Sequence, residues 1–341
     1  MKRILSVLLC LTLLVALVGC GGQSADPQNN ETNSSSSKKD EPKVFKLRSA
    51  KYVAKFDDEN TVVICWGDSI TQGMAMPMGF TYPQHLQGQI GSPYRVINAG
   101  VPGETSEAIL SRANAIEFCL TNDVTFKKGE KQALLDRNLF KSVGAENPIT
   151  YKGFGNQLKL SSVIIDGKKY TIEYEKGESY DVGTYKLTRE NTASALTLKA
   201  GTKVKYDYSS QYKKVHCNVI LMGANDGSSD AKSLIEKYKK LTDLNENYIV
   251  IIPFYSEDFS KEFIEAFGDK ALNARDYFMN QAHKDYDIEL TDTDKTCIKR
   301  GLIPNTYTYK GNMADCHLNE KGYLILGELV YKKGQELGYW K

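Results

Sequence analysis

Three short apolar runs, each followed by a glycine-containing turn, constrain the fold of this 341-residue chain most strongly. The runs end at Trp66, Ala99 and Met222, and they are rich in β-branched residues. Continuous apolar runs of this kind are typical of strands buried on both faces, as in a parallel sheet covered by helices. Because ligand chemistry in such sheets lies just beyond the carboxyl ends of the strands, the polar residues after these runs are the first candidates for a functional site.

The apolar runs alternate with stretches of helical periodicity, which predicts an α/β fold with a doubly wound parallel sheet and helices on both faces. The predicted strands are residues 61–66, 95–99, 215–222 and 248–253, with a short fifth near 271–273. The predicted helices include residues 106–118, 231–242 and 320–337.

Gly67-Asp68-Ser69 follows the first run and places a hydroxyl at a strand end, so Ser69 is the candidate nucleophile. The tripeptide alone fits an ordinary tight turn equally well, because glycine and aspartate are common turn residues. A serine hydroxyl also needs a base within hydrogen-bond reach before it can attack a carbonyl group. Of the four histidines, His317 in an Asp-Cys-His-Leu-Asn context near the C-terminus is the candidate base.

Together with two further segments, Gly100-Val101-Pro102-Gly103-Glu104 and Gly223-Ala224-Asn225-Asp226, these motifs resemble those of the SGNH (GDSL) hydrolases. The resemblance covers about residues 60–114 and 212–340, and the order and spacing of the motifs agree with it. It implies a flavodoxin-like α/β/α sandwich in which Ser69 is the nucleophile and His317 the base. It also implies an oxyanion hole made of the backbone N–H of Ser69, the backbone N–H of Gly103 and the side-chain amide of Asn225. Gly100 is the alternative glycine for this role. Gly103 is preferred, because the Glu-Thr-Ser that follows it matches the family motif better.

The acid that would orient the histidine departs from the family pattern. SGNH enzymes usually carry Asp-x-x-His, whereas Ala314 stands at that position here and the nearest acid, Asp315, lies two residues before His317. Asp315 on a tighter loop is the preferred interpretation. Asp292 or Asp294 could substitute for it, or the site could work as a Ser-His dyad.

The N-terminus predicts export and lipid anchoring. Residues 1–19 combine a basic start with an apolar run, which is typical of a signal peptide and too short for a retained membrane span. Leu17-Val18-Gly19-Cys20 resembles a bacterial lipobox, which implies lipidation of Cys20; an ordinary cleavage site is the alternative. Residues 20–45 form a polar tether with too few apolar groups to fold. The predicted location is extracytoplasmic, on the bacterial cell membrane.

Between the Gly103 motif and the Asn225 motif, the pattern of residues 121–211 predicts an inserted all-β module. It separates the two parts of the hydrolase domain, residues 46–120 and 212–341. Short alternating runs and the hairpin signal Asp166-Gly167 support this interpretation. Because the insertion begins beside one motif and ends before another, we expect it next to the functional face. Its tyrosines could stack on sugar rings, although tyrosine also simply favours strands.

Composition excludes several function classes. With 44 basic and 42 acidic residues, the net charge of +2 gives no case for nucleic-acid binding. No Cys-x-x-Cys pair or histidine cluster suggests a metal site, and no cofactor is expected. Cys65 and Cys217 fall in predicted strands as small core residues, whereas Cys119, Cys297 and Cys316 cannot be paired from sequence.

These features predict a serine esterase that removes a short acyl group, such as acetyl, from a cell-envelope or environmental glycan or a small acylated molecule. A lysophospholipase, a thioesterase or an acyltransferase could use the same residues. A catalytically inactive surface lipoprotein that binds glycan is the alternative from another class. The sequence does not indicate an oligomeric state.

Overall fold

A five-stranded parallel sheet carries the candidate residues. The computed structural model describes residues 61–74, 76, 80–135, 139–149, 161–176, 183–227, 230–255, 257–311 and 317–341. The predicted signal peptide, Cys20, the tether and Asp315 therefore lie outside the described residues. Those that are described belong to one compact unit.

The strands of the described part are β1 (Thr61–Gly67), β2 (Tyr94–Gly100), β3 (Phe118–Leu120), β4 (Val124–Phe126), β5 (Gln132–Leu135), β6 (Phe140–Ser142), β7 (Ser161–Ile165), β8 (Lys168–Lys176), β9 (Gly183–Arg189), β10 (Leu196–Leu198), β11 (Lys203–Tyr206), β12 (Val215–Leu221), β13 (Tyr248–Ile251) and β14 (Ala271–Leu272). The α-helices are α1 (Ser69–Gln72), α2 (Tyr82–Ile90), α3 (Ser106–Arg112), α4 (Ala231–Thr242), α5 (Ser260–Phe267), α6 (Ala274–Asn280), α7 (Ala282–Asp285), α8 (Asp292–Lys299) and α9 (Glu320–Glu336). Two short 3₁₀ helices span Gly268–Lys270 and Asn305–Tyr307.

The parallel sheet has the strand order β2-β1-β12-β13-β14, which is the flavodoxin-like order. The chain moves from β1 outward to β2 and then returns across β1 to β12, so the order reverses beside β1. Gly67 at the end of β1 lies in register with Gly100 of β2 and Leu221 of β12. The carboxyl ends of three strands therefore meet at the switch point, where doubly wound sheets bind their ligands.

Helices cover both faces of this sheet, as the alternation of apolar runs predicts. Val63 and Cys65 of β1 pack in one core cluster with α2, α6 and α9. Val62, Ile64 and Trp66 of the same strand pack in another cluster with α3, α4 and α5. Successive side chains of a strand point to opposite faces, and here both faces are buried. The prediction of a doubly wound α/β sheet is confirmed.

The one helix whose predicted extent is clearly wrong is residues 106–118, because α3 ends at Arg112. Asn114 has a φ of 56°, in the left-handed region, and breaks the helix. Its side chain exchanges two hydrogen bonds with the backbone of Tyr206, from Nδ2 to O at 3.1 Å and from N to Oδ1 at 2.9 Å. The chain then enters β3 at Phe118. A long-range side-chain contact therefore sets this helix end.

The segment from Phe118 to Tyr206 holds the antiparallel part of the structure. One sheet has the order β5-β9-β8-β7-β11-β3-β6, and β10 pairs with β4 in a second, two-stranded sheet. At the predicted hairpin turn, Asp166 and Gly167 have φ values of 50° and 68°, as a type I′ turn requires. The β-rich module is confirmed, whereas its boundaries at 121 and 211 stay a prediction.

The tyrosines of this module contribute to packing. Tyr170, Tyr185 and Tyr206 are buried in its core. Tyr206 stacks on Tyr208 with ring centroids 6.0 Å apart, and Tyr208 stacks on Tyr212 at 5.6 Å. The ring faces of these tyrosines contact one another and the core, which favours the structural interpretation over the sugar-stacking alternative.

Four cysteines, Cys65, Cys119, Cys217 and Cys297, are free and buried. The two in parallel strands, Cys65 and Cys217, lie in the core as the sequence predicts. In the described segments no helix is both long and apolar enough to span a membrane.

Candidate active site

Ser69 stands at the first position of α1, directly beyond the end of β1. The side chain of Asp68 caps this short helix, and its Oδ1 accepts a hydrogen bond of 3.0 Å from the N–H of Ile70. Gly100 passes so close to this turn that a Cβ atom would clash with the backbone N of Gln72 and lie 2.8 Å from the carbonyl oxygen of Asp68. Gly100 is therefore needed for close packing of β2 against the serine turn.

His317 meets Ser69 although 248 residues separate them. Its Nε2 lies 2.9 Å from Ser69 Oγ, which is hydrogen-bonding distance. An antiparallel bridge between Thr308 and Leu318 holds the chain next to His317. Two residues later the side chain of Asn319 caps α9 and accepts from the N–H of Gly322. The imidazole is thus placed by a bridge on one side and a helix start on the other.

Of the acids considered for orienting His317, Asp315 lies outside the described residues. Asp294 is buried in the first turn of α8 and forms a capping box with Thr291, the N-cap residue. It accepts hydrogen bonds from Thr291 and from the N–H of Thr306. Asp292 is exposed and pairs with Lys295 at 3.2 Å. Both substitutes are thus engaged away from the imidazole, which leaves Asp315 or a dyad as the interpretation.

Asn225 and Gly103 lie on loops that are bound to each other. Asn225 Nδ2 donates to the carbonyl oxygen of Glu104 at 2.9 Å, and Asp226 Oδ1 accepts from the N–H of Ser106 at 2.7 Å. Gly103 has a φ of 77°, a conformation that side chains rarely adopt. An amide nitrogen has two N–H donors, and the described residues use only one of those of Asn225. The other remains for a ligand.

A buried ion pair that the sequence did not reveal supports these loops. Arg112 on α3 contacts both carboxylate oxygens of Glu104 through Nε, at 3.0 and 2.8 Å, and donates from Nη2 to the carbonyl of Ala99 at 2.8 Å. The guanidinium also lies 5.6 Å from the ring centroid of Trp66. Burial raises the pKa of Glu104, and Arg112 opposes that shift. Removing one partner would leave a buried charge without compensation, which is strongly destabilising.

Asp68 is a second buried acid that sequence reasoning passed over as a turn residue. Burial raises its pKa to about 7, against the N–H groups of Ile70 and Ala224, which lower it. Repulsion by Asp226 and Glu104 adds to the upward shift. The carboxyl group behind the serine therefore titrates near neutral pH.

A cavity of about 350 Å³ adjoins the serine turn. Its lining includes Gln72 and Gly73 at the end of α1, Gly100 and Val101 after β2, and Arg112. Within the described part of the chain, no group of three or more His, Cys, Asp or Glu residues is placed to hold a metal ion.

No protein-family model matches the chain, and no curated protein matches it. Solved structures that resemble it include a lipolytic protein of the G-D-S-L family from Desulfitobacterium hafniense DCB-2, with 12% identity, a TM-score of 0.39, and coverage of 80% of this chain and 99% of that one. Another member of that family, from Veillonella parvula DSM 2008, has 14% identity, a TM-score of 0.34, and coverage of 81% and 97%.

A carbohydrate acetylesterase family member from Sinorhizobium meliloti has 13% identity, a TM-score of 0.33, and coverage of 82% of this chain and 99% of that one.

The buried carboxyl group makes stability depend on pH. The pKa of Asp68 is above its unfolded value of 3.8, so its contribution to stability is fully present below that pH and lost as pH rises through about 7. Asp68→Asn cannot ionise. The free energy of unfolding of this variant, measured in urea, should rise relative to that of the wild type between pH 5 and pH 8, by roughly 2.5 kcal/mol.

Exposed Asp292 supplies the matched control, and Asp292→Asn should show a constant difference from the wild type over the same range. If the difference in free energy of unfolding between Asp68→Asn and the wild type is also constant over this pH range, Asp68 remains charged in the folded protein. That result would contradict the expectation.

Proposed function

We propose that this chain is a serine esterase of the SGNH type that hydrolyses short acyl esters, such as O-acetyl groups, on a cell-envelope or environmental glycan. The observation that carries the proposal is the 2.9 Å contact between Ser69 Oγ and His317 Nε2. It lies beyond the carboxyl end of β1, at the switch point of the parallel sheet. A hydroxyl next to an imidazole at such an edge is the arrangement that nucleophilic acyl transfer needs.

The first half of the reaction forms an acyl-enzyme. Ser69 Oγ attacks the carbonyl carbon of the ester while His317 Nε2 accepts the hydroxyl proton. The carbonyl oxygen becomes an oxyanion. When the tetrahedral intermediate collapses, the bond to the leaving oxygen breaks and His317 returns its proton to that oxygen, which departs as an alcohol.

The oxyanion would be held by three N–H groups. In the described structure no acceptor uses the backbone N–H of Ser69 or that of Gly103, and Asn225 has a second amide N–H to offer. Each such donor contributes about 3 kcal/mol to transition-state stabilisation. The hydrogen bond from Asn225 to Glu104 fixes one donor relative to the loop that carries another.

The second half of the reaction releases the acid. A water molecule gives a proton to His317 and attacks the acyl carbon, and the bond to Ser69 Oγ breaks. His317 then returns the proton to the serine oxygen. Asp315, if it reaches the imidazole, would stabilise the cationic histidine in both halves.

The location proposed for this esterase is the outer face of a bacterial cell membrane, to which Cys20 would anchor it. More than one acyl chain is needed for stable anchoring, as lipobox processing would provide. This location would bring the site to envelope or environmental glycans, and the β-rich module between the motifs would add surface beside it.

Anchoring is tested by Cys20→Ser in a bacterial host that processes lipoproteins. The wild-type chain should incorporate labelled palmitate and sediment with membranes, because its anchor is covalent. The variant should lose the label. A chain that carries no label in either form would contradict lipidation at Cys20.

The chemistry is tested by Ser69→Ala. The wild-type protein should release a burst of p-nitrophenol from p-nitrophenyl acetate and react with a fluorophosphonate probe. The variant should lose both, with a fall in kcat of roughly 10³-fold or more, because the nucleophile is gone. Ser106→Ala is the matched control, because the Ser106 hydroxyl is buried and has no hydrogen-bond partner among the described residues.

Chain-length preference separates the related activities. Acetate esters should be cleaved faster than long-chain esters, whereas the reverse order would favour a lysophospholipase. Folded wild-type protein that neither labels nor turns over, yet binds glycan, would replace the esterase proposal with the inactive surface lipoprotein.

A further inference from the structure

Tyr309 is more exposed to solvent than the other described aromatic residues. Its side chain is 47% exposed, and no other aromatic residue in the described part of the chain is a large exposed hydrophobic group. The described tyrosines of the β-rich module are buried or packed against one another. Tyr309 lies instead on the loop beside the catalytic histidine.

The register of the short bridge places Tyr309 next to His317. Thr308 pairs with Leu318 in an antiparallel bridge, and the N–H of Tyr309 donates to the carbonyl oxygen of His317 at 2.8 Å. Tyr309 and His317 are therefore cross-strand neighbours. The side chains of such neighbours project from the same face, with Cβ atoms about 5 Å apart.

Burial on the two faces of the bridge agrees with this placement. Thr308 and Leu318, which project from one face, are buried. Tyr309 and His317 project from the other face, where Tyr309 is exposed and His317 partly exposed. An exposed aromatic ring thus stands beside the imidazole that contacts Ser69.

A second exposed apolar side chain borders the serine. The N–H of Met74 donates to the carbonyl oxygen of Ser69 at 3.0 Å, and its side chain is 44% exposed. The backbone of each exposed residue is thus hydrogen-bonded to one member of the Ser69–His317 pair. Apolar and aromatic side chains around a few polar reacting groups are typical of ligand sites.

The reaction decides which part of the substrate meets Tyr309. His317 gives its proton to the leaving oxygen, so the alcohol part of the ester must lie next to the imidazole. The oxyanion donors Gly103 and Asn225 instead follow β2 and β12. The ring of Tyr309 is therefore on the leaving-group side. An aromatic face there suits the apolar face of a pyranose ring better than a small flexible alcohol.

We propose that Tyr309, with Met74 at its border, forms the subsite for the sugar ring that bears the ester, and that the ring stacks on the phenol face of Tyr309. This inference rests on the proposed esterase function and specifies its leaving group. It places the sugar contact on the loop beside His317.

Kinetics on two acetate esters test the subsite. One substrate is per-acetylated xylopyranose, and the other is ethyl acetate, whose leaving group has no ring. The measured quantity is the ratio of kcat/KM on the sugar ester to kcat/KM on ethyl acetate. Tyr309→Ala should lower this ratio about fivefold, the loss expected for one aromatic stacking contact. Tyr309→Trp should restore it.

Leu134→Ala is the matched control, because Leu134 is a highly exposed apolar residue on β5 of the antiparallel sheet. It should leave the ratio unchanged. An unchanged ratio in Tyr309→Ala would overturn the subsite. If both activities fell together, Tyr309 would have only a structural role; if neither fell, it would have no role in the reaction.

A binding experiment keeps the subsite separate from the esterase activity. In Ser69→Ala, saturation-transfer NMR should show the acetylated sugar in contact with the protein, and the signal should weaken several-fold when Tyr309→Ala is added. An equal signal in the single and double variants would overturn the subsite even if the esterase is active. If the signal depends on Tyr309 but the wild-type protein has no esterase activity, the sugar site stands and the proposed reaction is rejected.

Discussion

The hydrogen bond between Ser69 and His317 depends on the parallel sheet and on the helices that pack against it. It joins two residues 248 positions apart, so no local preference of the chain can produce it. Ser69 is placed by β1, which is buried on both faces between β2 and β12. His317 is placed by the Thr308–Leu318 bridge and by the start of α9, and α9 packs on the same sheet. The geometry of the pair is thus a consequence of the sheet and its helices rather than of either loop alone.

Behind this pair the protein buries three acids; among the described residues, two of them are paired with a cation and the third is not. Glu104 is paired with Arg112, Asp226 with Lys237 at 2.8 Å, and Asp68 has no cation. Buried pairs contribute little net stability, because desolvation offsets most of the attraction between the charges. Their value here is positional, since Glu104 and Asp226 hold the loops that follow β2 and β12. Asp68 caps the serine helix and, with a pKa near neutrality, avoids part of the cost of a buried charge.

Much of the fold follows from local pattern. The buried runs predicted all five parallel strands to within two residues at each end, and the helix Ala231–Thr242 agrees at both ends. Periodicity works there because those segments alternate strictly between apolar strands and amphipathic helices. The predicted helix at 106–118 is too long, because its end depends on Asn114 meeting Tyr206 across 92 residues. Partners at such separations leave no mark in a local window.

In the candidate site, too, residues in local motifs were predicted and residues defined by long-range contacts were not. Ser69, Gly103, Asn225 and His317 follow from motifs, and the structure brings the loops that carry them together. Glu104 and Arg112 were missed, although Glu104 lies next to Gly103 and Arg112 eight positions later on α3, a pairing visible only once α3 is placed. Tyr309 lies outside every motif, because its place beside His317 depends on a two-residue bridge that no local pattern predicts. For the tyrosines of the β-rich module the sequence left strand packing and sugar stacking both open, because composition does not report burial.

The most direct test of the account is a crystal structure of the protein after reaction with a small alkyl phosphonate. The account predicts phosphorus bonded to Ser69 Oγ, with the phosphoryl oxygen within about 3 Å of both Asn225 Nδ2 and the backbone nitrogen of Gly103. His317 should remain beside the bonded oxygen. A phosphoryl oxygen that faces solvent with Asn225 disengaged, or an adduct on another residue, would contradict the central claim that these strand-end loops form one acyl-transfer site.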